Sequence, residues 1–110
     1  MEIRGREVTV PVEDILNQFD WHDEKWTDKR LIACSPFRFE KSASFFVRLV
    51  AENGYSEGIW SDSGGTGEYK SGRFPKLYGH LKGMSEREAE DELLEIYGNG
   101  EVGYRQQLTV

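Results

Sequence analysis

Cys34 is the only cysteine of this 110-residue chain and His22 and His80 are its only histidines, so a thiolate nucleophile with an imidazole base is the first chemistry to weigh. Cys34, however, ends the apolar run Leu31-Ile32-Ala33, which reads as a packed thiol rather than a reactive one. The carboxylates Asp20, Asp23, Glu24 and Asp28 could hold a divalent cation only weakly. Their spacing lacks the glycine and terminal glutamate of a calcium loop, and a solvated acidic segment accounts for them. The stretch Gly64 to Ser71 (GGTGEYKS) comes within one residue of a phosphate-binding P-loop, with Tyr69 at the required second glycine. Gly72 and Pro75 follow where a helix would have to open on the phosphates. No enzymatic activity and no cofactor are expected from these residues.

Charge is distributed in blocks. Residues 1–28 carry 3 basic and 8 acidic side chains, residues 29–83 carry 9 and 5, and residues 84–110 carry 2 and 7. A net charge of −6 speaks against a nucleic-acid partner, since phosphate contacts need Lys and Arg, but the middle of the chain is basic between acidic flanks. The 6 Phe, 5 Tyr and 3 Trp are enough to build a packed core despite the high charge content. No apolar run reaches the roughly 18 to 20 residues that cross a bilayer. A lone cysteine excludes an intramolecular disulfide and fits a reducing, cytoplasmic setting.

The elements that would position these groups follow from hydrophobic period and turn chemistry. Val8 to Val12 reads as a short strand, and Val12, Ile15, Leu16 and Phe19, with Pro11 at the start, as a short amphipathic helix. Trp21 to Asp28 reads as a polar loop before a strand over Lys29 to Ala33. Ser44 to Val50 is the clearest strand, with Phe45, Val47 and Leu49 on one face and Phe46, Arg48 and Val50 on the other. Asn53-Gly54 marks a hairpin turn, and Tyr55 to Ser61 is its returning arm, with Trp60 on the face opposite Tyr55 and Ile59. A glycine-rich loop over 61–72 leads to a helix with Phe74, Leu77, Tyr78 and Leu81 on one side, stopped by Gly83. Ser85 and Glu88 then form a capping box for a second helix that turns Ala89, Leu93, Ile96 and Tyr97 inward and stops at Gly98.

At Pro36-Phe37-Arg38-Phe39-Glu40-Lys41-Ser42-Ala43-Ser44-Phe45, Ile59-Trp60-Ser61-Asp62-Ser63-Gly64-Gly65 and Gly83-Met84-Ser85 the chain resembles the zinc-binding domain of DNA primases. That family carries a C-P-x-H knuckle running into Glu-Lys-x-x-Ser-Phe, then an aromatic-x-Cys-x-x-Cys-Gly knuckle and a helix pair joined by Gly-hydrophobic-Ser. The resemblance covers residues 29–97. It implies an α+β fold: a small antiparallel β-sheet, zinc-ribbon-like but metal-free, with a helix before it and a helix pair after it. Residues 1–28 would be an N-terminal helix and acidic loop extension, and 98–110 a tail or edge strand. In this register the four ligand positions fall on Ser35, Arg38, Ser61 and Gly64, none of which is a useful zinc ligand. Structural zinc supplies roughly 10 to 16 kcal/mol in small fingers, so additional buried aromatic rings would have to substitute for it.

The resemblance also implies a surface. If Phe45, Val47 and Ile59 occupy the family's core positions, then Phe46, Arg48 and Trp60 point outward together as a stacking platform. Arg38, Lys41, Lys70, Arg73 and Lys76 could then follow a nucleic-acid backbone. This makes single-stranded DNA one expected partner of a non-catalytic, replication-associated module, and leaves a phage or mobile-element source open. The alternative is a protein-interaction module whose acidic flanks dock on a replication protein such as a primase or helicase. A DNA-mimicking inhibitor would use the same acidic flanks. Coverage of the sheet face by residues 1–28 would favour the protein partner, and an open aromatic and basic face would favour DNA.

Overall fold

The computed structural model describes residues 1–37 and 43–98. The chain begins with a two-stranded hairpin of β1 (Glu2–Ile3) and β2 (Arg6–Glu7), and not with the strand expected over Val8 to Val12. Pro11 has no N–H to give to a ladder. Val8 and Val10 are instead buried in irregular backbone, and Val12 already opens helix α1 (Val12–Leu16).

A five-stranded antiparallel sheet follows in sequential order. It is made of β3 (Lys25–Trp26), β4 (Arg30–Ala33), β5 (Phe45–Arg48), β6 (Trp60–Asp62) and β7 (Ser71–Gly72). The stretch read as a loop thus supplies an edge strand, β3, pairing Trp26 with Leu31. A 3-10 turn, Gly67–Tyr69, precedes β7, so the Lys70-Ser71 pair of the glycine-rich loop enters a strand. That is not the helix-opening geometry a P-loop requires.

Helices α2 (Phe74–Lys82) and α3 (Glu86–Tyr97) close the fold. Gly83 ends α2 in the left-handed region, at φ 75°. The Ser85–Glu88 capping box forms in both directions, with Ser85 Oγ accepting from Glu88 N and the Glu88 carboxylate accepting from Ser85 N. Ala89 and Leu93 face inward as expected, but Ile96 is 54% exposed. It opens onto a groove with Ile15, Phe19 and Tyr97.

One core unites these parts. Met1, Ile3, Val8, Val10, Val12, Ile15 and Leu16 belong to the same buried cluster as Leu31, Phe45, Val47, Trp60, Phe74, Leu77 and Leu93. The N-terminal residues therefore cover the apolar face of the sheet together with the helices. Two arginines tie the first hairpin to α3: Arg4 bonds Glu90, Asp91 and the Arg87 carbonyl, and Arg6 donates to the Gly98 carbonyl at 2.8 Å.

Candidate nucleic-acid interface

Strand register decides which side chains meet. Val47 pairs with Trp60 and Phe46 with Ser61, and antiparallel partners share a face. Trp60 therefore lies with Phe45 and Val47 on the core side, where it is 0% exposed. This reverses the outward position expected for it.

The cause is the register of the hairpin: Glu52 bridges Tyr55 across the Asn53-Gly54 turn, and the same register sets Val47 opposite Trp60, with a local bulge between. Gly58 N donates to the Arg48 carbonyl at 2.7 Å and Arg48 N donates to the Ile59 carbonyl at 2.9 Å, so two residues of the returning arm stand opposite one. Gly58 adopts φ 87°, the conformation of the first residue in a glycine bulge. This bulge leaves the pairing of Val47 with Trp60 in step with the turn, so Trp60, not Ile59, enters the core. There the Trp60 indole donates to the Arg73 carbonyl at 2.9 Å, while its ring centroid lies 4.6 Å from that of Phe37 and 5.8 Å from that of Phe45.

Phe46 and Arg48 lie on the opposite, open face. The row Lys25, Ile32, Phe46, Ser61 and Ser71 runs across all five strands, and next to it Arg30 and Arg48 are direct cross-strand partners. The Arg30 guanidinium carbon lies 5.3 Å from the Phe46 ring centroid, and that of Arg48 lies 5.9 Å from Phe46 and 4.6 Å from Tyr55. Arg48 is held between two rings and its side chain is only 15% exposed. Arg30 is exposed.

Opposed like charges destabilise a sheet pair, and the cation–π contacts offset part of that cost. Glu52 supplies the compensating anion: its carboxylate accepts from Lys29 Nζ at 3.0 Å and lies 4.0 Å from Arg48. Lys29 therefore holds the Glu52 carboxyl below its usual range and is itself raised by the same hydrogen bond. Asp28 is a further, weaker neighbour of Lys29.

The other expected site residues divide. Lys70 and Arg73 are exposed beside β7 at the sheet edge, whereas Lys76 turns away to Glu68 and the Tyr69 ring. Arg38 and Lys41 lie outside the described residues. The sequence reading missed Arg30 and Tyr55, and period-two alternation along β4 was the signal available for Arg30.

Ser35, Ser61 and Gly64, three of the implied ligand positions, serve other roles. Ser35 Oγ accepts from Phe37 N at 3.1 Å, Ser61 faces out beside Phe46, and Gly64 N donates to Asp62 at 3.1 Å. Buried Asp62 also accepts from Ser44 Oγ at 3.0 Å, tying β5 to the glycine-rich turn. Phe37 packs on Phe45, Trp60, Tyr69 and His80, and His80 Nε2 lies 2.7 Å from the Pro36 carbonyl. Among the described residues no group of three or more His, Cys, Asp or Glu side chains could hold a metal ion. Buried Cys34 lies 3.9 Å from an Asp23 carboxylate oxygen. Among the described residues no helix is long and apolar enough to cross a membrane.

Comparison with family models, with curated proteins and with solved structures returns no match to this chain.

Proposed function

We propose that this chain is a non-catalytic, replication-associated module of the cytoplasm, similar to a primase zinc-binding domain without the metal, that binds single-stranded DNA weakly through its open sheet face. The observation that carries this reading is the cross-strand pair Arg30 and Arg48 around the Phe46 ring. Two guanidiniums placed opposite each other work against the sheet's own stability, and an anionic ligand would relieve that. A half-buried ring between them offers a base a stacking partner, and stacking is tolerant of sequence. The N-terminal extension leaves this face open because it covers the other one.

A second reading has its own support. Exposed Ile96 beside Phe19 and Tyr97, on a helix rich in carboxylates, is a surface that would suit a basic, apolar partner such as a replication protein, a primase or helicase among them. In that case DNA would not be bound directly.

Fluorescence anisotropy of a labelled oligonucleotide at two salt concentrations separates the readings. The DNA reading expects weak, salt-sensitive binding. Phe46→Ala should remove about 1 to 3 kcal/mol of stacking, and Arg30→Ala should lower affinity and flatten the salt slope by about 0.7. An absence of binding at low salt would leave the protein-interaction module as the better account.

A further inference from the structure

Beside Phe46 the open face sinks into a groove of about 270 Å³, lined by Arg30, Ile32, Ser44, Phe46, Ser61 and Ser63. We infer that this groove is a base-reading subsite that takes one unstacked base presenting two adjacent hydrogen-bond acceptors, guanine first and cytosine second. The inference rests on the single-strand reading of the same face and adds a preference to it.

Groove size and wall chemistry carry the argument. The space suits one ring system lying on apolar Ile32 and Phe46. Among the described residues the sole charged group on its wall is Arg30, whose planar fork can donate two parallel hydrogen bonds and accept none. The Phe46 ring at 5.3 Å from the guanidinium carbon restrains that fork at the mouth of the groove.

A two-donor fork is satisfied by two acceptors side by side on one base edge. Guanine offers O6 and N7. Cytosine offers O2 and N3 on its pairing edge, while adenine and thymine alternate donors with acceptors. Ser61, the cross-strand partner of Phe46, adds a hydroxyl that can donate or accept. Ser44 and Ser63 are already engaged, with Asp62 and with the Ser44 carbonyl respectively.

The test uses labelled dT12 and three variants carrying one central dG, dC or dA, titrated by anisotropy at low salt. A central dG, and to a lesser degree dC, should tighten binding by about fivefold or more over dT12, the low end of what a bidentate arginine contact discriminates, while dA should not. Arg30→Lys keeps the charge and loses the fork. It should erase the preference while leaving the salt slope of dT12 binding unchanged, with a melting curve confirming the fold. Four oligonucleotides bound within twofold of one another, or a preference for dA, would overturn the subsite and leave single-strand binding standing. A dT12 that fails to bind at low salt would overturn the single-strand reading, and the subsite with it.

Discussion

Glu52 is the residue on which the charge of the open face turns, because Lys29, Arg30 and Arg48 stand around this one carboxylate in contact with two of them. As an internal anion it competes with a bound phosphate for the same cations. Glu52→Gln is therefore expected to tighten oligonucleotide binding about two- to fivefold, the scale of an exposed ion pair, and to steepen the salt slope. A looser or unchanged complex would place the phosphate elsewhere. The same pair has a pH signature. Its carboxyl is lowered in the folded state by the Lys29 hydrogen bond, so its contribution to stability is present above the ordinary glutamate range, near about 4.3, and is lost as pH falls through the lowered value. Trp60 belongs to stability rather than to binding. Trp60→Ala should cost about 3 to 5 kcal/mol of unfolding free energy, as large aromatic deletions in cores do; a stable variant with weakened DNA binding would return Trp60 to the surface.

At the scale of elements, Gly58 lets the returning arm of the hairpin pass close to Phe74 of α2. A Cβ there would stand 2.5 Å from Phe74 Cβ, on backbone at φ 87°, so both strain and overlap oppose any side chain. Gly58→Ala is expected to destabilise by about 2 kcal/mol or more, read from a denaturant midpoint, whereas an unchanged midpoint would show that the bulge is not required. The returning arm of this hairpin is also where sequence reading fails. The strand over Ser44 to Val50, the Asn-Gly turn and both C-terminal helices were legible, because each is fixed by local period, turn chemistry or capping. The resemblance matches Ile59 to a core position of the family, although counting back from the Asn53-Gly54 turn pairs Trp60 with Val47 and so puts Trp60 on the core face. Phe46 and Arg48 were legible as a pair on one face. Alternation along β4 puts Arg30 on one face with Ile32, but joining it to Phe46 and Arg48 takes the pairing of β4 with β5, a contact that no local pattern encodes. β3 was missed for a related reason: Lys25 and Trp26 form a strand by pairing to a neighbour rather than by any alternation of their own.

For the whole molecule, the division of labour between the two faces of one sheet is the central feature. Residues 1–16 and the helix pair cover the face that carries Phe45, Val47 and Trp60, and the aromatic cluster around Phe37 stands near the segments where the resemblance implied a metal. The opposite face keeps Arg30 exposed and Phe46 half-buried, with Arg48 held between the Phe46 and Tyr55 rings. Acidic residues of α3 face other partners, with Glu90 and Asp91 on Arg4 and Glu92 on Tyr78 and Lys82, so the overall negative charge is not spread over the sheet. The most direct measurement is a ¹⁵N-resolved NMR titration with a short thymidine oligonucleotide at low salt. The account predicts shifts confined to the amides of Arg30, Ile32, Phe46, Arg48 and Ser61 and their strand neighbours, with α2 and α3 unperturbed. Shifts centred on α3 and Phe19, or none at all, would contradict it.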